Sequence, residues 1–298
     1  MIFSHRKTGL ERVGAWLETN AAFSELFRVH AVENVGVVSD DRLSTLAYDR
    51  IGKVGRPVAT VVLEGHARIE AFGRSAWLGA GEVSIVESKS ALLMRQSRAG
   101  ERYRALAIEW DASAAGPRPQ GFAVVRATAP VVRDAEALFS ALASREGEDP
   151  AREDCLLRTI THVGAGLGVT LVLRSEAVAP PTKELSSALD ELLSDMRDRP
   201  MIVDLHARLG VSERTVNRMV QDFNTRFGFN ASTWQDARSR RRVLLSAALL
   251  TAEGVTASEV ADAMGYGSLP SLSRALKLAG MPSPRDVPSF VAALLAKE

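Results

Sequence analysis

The chain has 298 residues, of which 46% are hydrophobic and 24% are charged, and its formal net charge is +1. This is the composition of an ordinary globular protein, and the chain is long enough for two domains. The net charge excludes a surface that is basic throughout, but it is compatible with a local basic stripe. The sequence has no long apolar run, no signal-peptide pattern and no cysteine besides Cys155, so we expect a cytoplasmic protein without a membrane helix, a disulfide framework or a cysteine-rich zinc cluster.

Short runs of β-branched residues, separated by glycines, predict a strand-rich region from about Ile2 to Asp111. The stretch VATVVLEGHARIEAFGRSAWLGAGEVSIVES shows the pattern best, with turns at Gly65, Gly73 and Gly79. Many short strands of this kind favour an antiparallel sandwich or barrel. Near the start, LERVGAWLETNAAFSELF has a pattern that also predicts a short helix.

Two helices and a linker follow. APVVRDAEALFSALASREG predicts a helix with Pro130 near its first turn, and DPAREDCLLRTITHVGAGL predicts another, on which we expect Cys155 to be a core residue. The stretch SEAVAPPTKE contains two prolines, which break a helix, and we expect Thr182 to cap the next helix. We therefore divide the chain into a β domain (1–120), a helical dimerisation and linker region (121–180) and a helical domain (181–298).

The helical domain begins with the pattern of a helix-turn-helix, ARLGVSERTVNRMV. Gly210 suits the tight turn, and Ser212 can cap the second helix. Val216, Met219 and Val220 recur at helical spacing and are predicted to face the core. The other face carries arginine and asparagine, the side chains that pair with guanine and adenine edges. The residues predicted to bind DNA here are Arg214, Thr215, Asn217 and Arg218.

A second copy of the pattern follows in ADAMGYGSLPSLSRAL, with Gly265 at the turn and Ser268 as the cap. Leu272, Ala275 and Leu276 are predicted to face the core. This copy has fewer base-reading side chains, so we expect it to contact phosphates more than base edges. The residues predicted to bind DNA here are Ser271, Ser273, Arg274 and Lys277.

Between the copies, WQDARSRRRVLLSAALL predicts one long helix from Trp234 to Leu250. A rigid connector would hold the two second helices at a fixed separation, and successive major grooves on one DNA face lie roughly 34 Å apart. A single chain could then read both grooves. We expect Arg240 and Arg241 in this helix to contact phosphates, since neutralisation of the backbone dominates DNA affinity.

Residues 182–287 resemble the DNA-binding domain of the AraC/XylS family of bacterial transcription regulators. The resemblance is carried by GVSERTVNRMV, the ALL at Ala248–Leu250, and EVADAMGYGSLPSLSRALK at Glu259–Lys277. The chain departs from the family pattern at His206, which replaces a small residue and which we expect to lean out of the helix packing. It also has GMPSPRDV where the family pattern ends in a Tyr-Arg pair.

The resemblance implies a regulator that binds double-stranded promoter DNA, acts as an activator with RNA polymerase, and carries a cupin-like N-terminal domain that senses an effector and forms a homodimer. The effector is either a small molecule or a protein partner. No catalytic residue, metal or cofactor is implied. We expect His66, Trp77 and Tyr103 to line an effector pocket, since such pockets combine apolar walls with a few polar groups.

The alternative is a cupin-class metal enzyme, or a small-molecule-binding protein whose helical tail serves assembly. Such an enzyme holds its metal with a His-x-His pair and further histidine and glutamate ligands. His66, with Glu64 and Glu70 nearby, is the one histidine in the core of the strand region, so the ligand count favours the regulator.

Overall fold

The computed structural model describes residues 1–40, 56–87, 92–96, 101–111, 121–144, 150–173, 178–227 and 233–296. Within these residues, antiparallel sheets occupy the first part of the chain and helices the remainder. The α+β class predicted from the sequence is therefore confirmed. None of the helices in the described part of the chain combines the length and apolar character needed to cross a membrane.

Two antiparallel sheets form the N-terminal domain. Their strands are β1 (Ile2–Leu10), β2 (Ala15–Phe23), β3 (Phe27–Val35), β4 (Ser39–Asp40), β5 (Val58–Glu64), β6 (Ala67–Ala71), β7 (Arg74–Leu78), β8 (Glu82–Val86), β9 (Leu92–Gln96), β10 (Arg102–Trp110) and β11 (Phe122–Arg126). The larger sheet has the order β1-β2-β3-β10-β5-β8-β11, and the smaller has the order β4-β9-β6-β7. Ile69 and Leu78 of the smaller sheet share a buried cluster with Val62 and Tyr103 of the larger, so the sheets pack face to face.

The stretch near the start that also predicted a short helix is strand along most of its length. A 3₁₀ turn at Glu11–Val13 connects β1 to β2, and β2 pairs with β1 from Ile2 opposite Phe23 to Leu10 opposite Ala15. The helical prediction was wrong because cross-strand pairing outweighs the weak local preference of such a stretch.

Two helices cover one face of the larger sheet. They are α1 (Ala129–Ala143) and α2 (Pro150–Gly166), both close to their predicted bounds. Leu138 of α1 and Ile160 of α2 share a buried cluster with Val61 and Leu106 of the sheet. Cys155 lies on the exposed face of α2, so its prediction as a core residue was wrong.

The two prolines of the predicted linker begin a helix instead of preventing one. Pro180 and Pro181 occupy the first turn of α3 (Pro180–Ser194), and the N-cap is Ala179 rather than Thr182. Proline suits this position because the first amide groups of a helix have no intrahelical acceptor. The expected cap at Thr182 was therefore wrong, and residues 174–177 of the linker lie outside the described residues.

The C-terminal helices pack on β1 and β2. After α3 they are α4 (Ile202–Leu209), α5 (Glu213–Phe227), α6 (Trp234–Leu249), α7 (Ala257–Ala263), α8 (Leu269–Leu278) and α9 (Val287–Ala296). Their core includes Ile2, Ala15 and Phe23 of the sheet. The ring of Phe23 lies 6.1 Å from that of Phe223 and 5.3 Å from that of Phe227, between centroids. The helical domain and the sheet thus share one hydrophobic core.

Candidate nucleic-acid interface

The first helix-turn-helix unit (residues 202–227) consists of α4, a tight turn and α5. Gly210 ends α4 with φ 64, in the left-handed region that glycine adopts most easily. No atom lies within 4 Å of the position that a Cβ would take at Gly210, so the backbone conformation rather than crowding favours glycine. The N–H of Thr215 donates to Ser212 Oγ over 3.3 Å, which caps α5 as predicted.

The half-buried His206 contacts the turn of this unit. Its Nδ1 atom bonds with the carbonyl oxygen of Val211, the residue that follows the turn glycine. Leu205, one residue earlier, is fully buried and supplies the apolar contact of α4. The imidazole therefore ties α4 to the entry of α5 where the family pattern has only a small side chain.

The recognition helix of the first unit, α5, buries one face and exposes the other. Val216 and Val220 are buried and Met219 packs against the same core, as predicted. Arg214 and Arg218 are exposed, and neither guanidinium has a hydrogen bond or ion pair with another residue in the described ranges. Both charges are thus available to a ligand.

The two polar residues predicted to accompany these arginines are less exposed. Thr215 and Asn217 are both half-buried. Thr215 Oγ1 lies 3.0 Å from Ser212 Oγ, so its hydroxyl takes part in the cap of α5. Asn217 lies between Val216 and the exposed Arg218 on the border of the buried face.

The second unit (residues 256–278) repeats this construction with α7 and α8. Thr256 and Glu259 form a reciprocal capping box at the start of α7, with Thr256 N donating to Glu259 Oε2 over 2.8 Å. Gly265 has φ 64, the same value as Gly210. The N–H of Ser271 donates to Ser268 Oγ over 3.4 Å at the start of α8.

The recognition helix of the second unit, α8, has the same division of faces. Leu272 and Leu276 are fully buried, and Ala275 packs against the same core. Arg274 and Lys277 are exposed, and their charged groups have no bonded partner within the described ranges. Ser273 is half-buried, as is Ser271, whose hydroxyl lies 3.0 Å from Ser268 Oγ.

The consecutive arginines of α6 donate hydrogen bonds to other groups of the protein. Arg240 Nε donates to Asp236 Oδ1 over 2.7 Å, one turn earlier. Arg241 Nε donates to the carbonyl oxygen of Leu193 on α3 over 2.9 Å, and burial lowers the pKa of its guanidinium. Arg242 Nε donates to the carbonyl oxygen of Met264 over 2.7 Å.

The expectation that Arg240 and Arg241 contact phosphates stays a prediction, and both side chains have hydrogen-bond partners within the protein. Arg241 points toward α3 and Arg242 toward the second unit, so the run anchors α6 to the helices on both sides. A guanidinium that already donates to buried carbonyl oxygens costs free energy to withdraw. Among the described residues of α5, α6 and α8, the exposed cations without a bonded partner therefore lie on α5 and α8.

The three residues expected to line an effector pocket do not converge. Tyr103 is fully buried between the sheets. Trp77 is 37% exposed and stands opposite Arg68 on the outer face of the smaller sheet. His66 lies in the turn after β5, where its Nδ1 is 3.2 Å from Glu101 Oε2. The alternation of faces along each strand separates Trp77 from Tyr103, so these two side chains do not line one pocket wall.

The contact between α3 and β1 was not predicted from the sequence. Asp190, buried on α3, accepts hydrogen bonds from Ser4 Oγ at 2.8 Å, from His5 N at 3.1 Å and from Arg6 Nε at 2.7 Å. These contacts join residues more than 180 positions apart. No local pattern could reveal them, although an acid on the apolar side of a predicted helix would have raised the question of its partner.

A second contact joins the tip of the β1–β2 hairpin to the second unit. Arg12 pairs with Glu259, with Nη2 at 2.9 Å from Oε2, and also donates to the carbonyl oxygen of Gly254 over 2.6 Å. The Arg12 guanidinium, followed by the Thr256 hydrogen bonds, lowers the pKa of Glu259 to about 2. The hairpin thus contacts α3 at one end and α7 at the other. TxxE at Thr256–Glu259 was a readable capping signal for α7.

The comparisons with known proteins give only distant matches. No protein-family model and no curated protein matches the chain. Among solved structures, ToxT from Vibrio cholerae covers 84% of this chain and 92% of its own at 11% identity, with a TM-score of 0.33. A second ToxT structure covers 85% and 94% at 9% identity, with a TM-score of 0.34. A cupin conserved barrel domain protein from Salinispora arenicola covers 33% and 77% at 16% identity, with a TM-score of 0.25. Similarity at this level carries no functional argument.

Proposed function

We propose that the chain is a sequence-specific DNA-binding transcription regulator of the AraC/XylS type. The observation that carries this proposal is the repeated geometry of the two helix-turn-helix units, each with a buried apolar face and, on its second helix, exposed cations that have no partner among the described residues. Arginine pairs bidentately with guanine in the major groove, and both arginine and lysine neutralise phosphates. The cations are Arg214 and Arg218 on α5, and Arg274 and Lys277 on α8.

The connector supports simultaneous use of both units. The 16 residues of α6 span about 24 Å at the helical rise of about 1.5 Å per residue. Arg241 fastens α6 to α3, which packs against the first unit, and Arg242 fastens α6 to Met264 of the second. Since both attachments are hydrogen-bonded, the two recognition helices keep a set separation, as reading of successive grooves on one face requires.

The N-terminal domain is the part that we propose to receive a signal, from a small molecule or a protein partner. Because the β1–β2 hairpin contacts both α3 and α7, a change in the sheet would act on both units. Binding of an effector would shift the population between DNA-competent and DNA-incompetent arrangements. We further propose that the chain acts in the cytoplasm as a homodimeric activator with RNA polymerase, and that it is not an enzyme.

Genome-wide mapping of the DNA bound by a tagged full-length chain tests the function directly. A regulator of this type should enrich a limited set of promoter fragments that share one sequence pattern, with two half-sites about one helical turn apart. Reporter expression from those promoters then separates activation from repression. Enrichment of no fragment above an untagged control contradicts the proposal.

Replacement of Arg218 by alanine should weaken binding to the mapped site by about 1–3 kcal/mol, or roughly 5- to 150-fold, and relax specificity at one base pair. The physical reason is that Arg218 is exposed on α5 and has no partner in the part of the chain that the structure describes, so its loss removes a base contact and leaves the fold intact. Fluorescence anisotropy with the mapped site and single-base variants measures both effects.

The matched control is Arg158→Ala, which removes the same charge from an exposed position on α2, far along the chain from the units. It should leave affinity and specificity unchanged. If Arg218→Ala behaves like Arg158→Ala, Arg218 does not contact a base.

A further inference from the structure

Three arginines from two segments of the chain lie close together where the first unit approaches the second. Arg238 and Arg242 extend from α6, and Arg199 lies in the loop between α3 and α4. Arg238 Nη1 donates to the carbonyl oxygen of Pro200 over 2.5 Å. The Arg242 guanidinium lies over the ring of Tyr266, 3.9 Å from its centroid. Within the described ranges, no carboxylate forms an ion pair with any of the three.

Arg199 differs from the other two arginines in its exposure and in the contacts of its guanidinium. Arg238 and Arg242 are half-buried and donate to backbone carbonyl oxygens, whereas Arg199 is exposed. The Arg199 guanidinium has no hydrogen bond or ion pair with another described residue. Burial lowers the pKa of Arg242, and the nearby charges of Arg238 and Arg199 lower it further.

The backbone places Arg199 against the turn of the second unit. Arg199 has φ 53, a left-handed conformation that is unusual for a residue other than glycine. Its Nη2 atom lies 3.4 Å from the position that a Cβ would take at Gly267, the residue before the Ser268 cap of α8. A side chain of the first half of the domain thus reaches the point where the second recognition helix begins.

We propose that Arg199 binds a phosphate of the DNA backbone between the two grooves that α5 and α8 read, so that the junction is a third point of contact. The Arg199 guanidinium is exposed, has no bonded partner among the described residues, and lies beside the turn that leads into α8, where a phosphate would neutralise its charge. Because Arg199 precedes the first unit and lies beside Gly267 of the second, such a contact would depend on the relative placement of the units. The inference rests on the proposed function, since it requires that both units face one duplex.

The test measures the binding of full-length Arg199→Gln and Arg197→Gln to a 60-base-pair duplex of arbitrary sequence. The affinity K is determined at several salt concentrations from about 50 to 200 mM, a range in which counterion release changes K measurably. Arg197 is a suitable control because it is exposed in the same loop, but its charge pairs with Asp262 at 3.7 Å. Loss of one phosphate contact should lower the slope of log K against log salt by about 0.9 and weaken binding about eightfold at 0.1 M salt. Arg197→Gln should keep the slope of the unmodified chain.

Arg199→Gly provides the same charge removal with a residue that adopts positive φ readily, so it keeps the test valid if the glutamine variant misfolds. An unchanged slope in the folded Arg199 variants overturns the inference, as does a loss that depends on the DNA sequence. Failure of the unmodified chain to bind any duplex overturns the proposed function instead. The two failures are therefore distinguishable.

Discussion

Replacement of Gly265 by alanine should destabilise the protein by about 3–5 kcal/mol, whereas the same replacement at Gly210 should cost about 1–2 kcal/mol. Both glycines are the turn residues of their units, and both have φ 64. A Cβ at Gly210 would meet no atom within 4 Å, so only the left-handed backbone is penalised. A Cβ at Gly265 would lie 2.2 Å from the carbonyl oxygen of Met196, which adds a steric clash to the same backbone penalty.

Urea denaturation of the two variants measures this difference, with Gly210→Ala as the internal control for the backbone cost. The Gly265 variant should also bind DNA more weakly, because the clash separates the turn of the second unit from the end of α3. Equal losses of stability in the two variants would show that the loop at Met196 yields without cost.

Asp190→Asn should lower the free energy of unfolding by roughly 2–4 kcal/mol. Asp190 is 9% exposed and accepts hydrogen bonds from Ser4, His5 and Arg6. Its carboxylate also attracts the half-buried guanidinium of Arg241, which the like charge of Arg6 repels. An asparagine keeps one acceptor oxygen but leaves two guanidinium groups close together without an anion, which is costly in a buried place.

Glu191→Gln is the matched control for this change. Glu191 is the next residue on α3, and its ion pair with Arg208 is exposed, with 59% and 41% of the two side chains accessible. Exposed pairs of this kind contribute about 0–1 kcal/mol. Thermal denaturation of both variants, and of the Arg6→Gln/Asp190→Asn double variant, measures the changes in stability. The double variant should recover part of the stability that Asp190→Asn loses. A loss for Asp190→Asn no larger than that for Glu191→Gln would refute the structural role of Asp190.

The features that the sequence predicted well are those set by local pattern. The connecting helix was expected at Trp234–Leu250 and is found at Trp234–Leu249, because a long periodic stretch with a capping Thr233 needs no distant partner. The buried face of α5, with Val216 and Val220, follows from helical spacing in the same way. The caps of both units and the left-handed turns at Gly210 and Gly265 are equally local, whereas the close approach of Met196 to Gly265 is not.

The errors share a different cause, namely contacts between distant parts of the chain. A run of arginines is typical of a solvent-facing helix surface. The sequence does not show that the carbonyl oxygens of Leu193 and Met264 lie beside this run. The β2 stretch has a weak helical pattern, and its pairing with β1 decides its structure. Trp77 and Tyr103 were grouped as aromatic neighbours of one domain, and only the strand registers show that they lie on different faces.

The shared core of the helices and the β1–β2 hairpin bears on how this protein can be divided. Phe23 from the sheet packs against Phe223 and Phe227, and Val38 N donates to Thr251 Oγ1 over 2.8 Å. A fragment that starts at α3 would leave the partners of these groups open to water, which favours aggregation. The N-terminal domain and the helices are therefore not interchangeable modules: a chimaera that grafts another N-terminal domain onto these helices would have to retain residues 1–38.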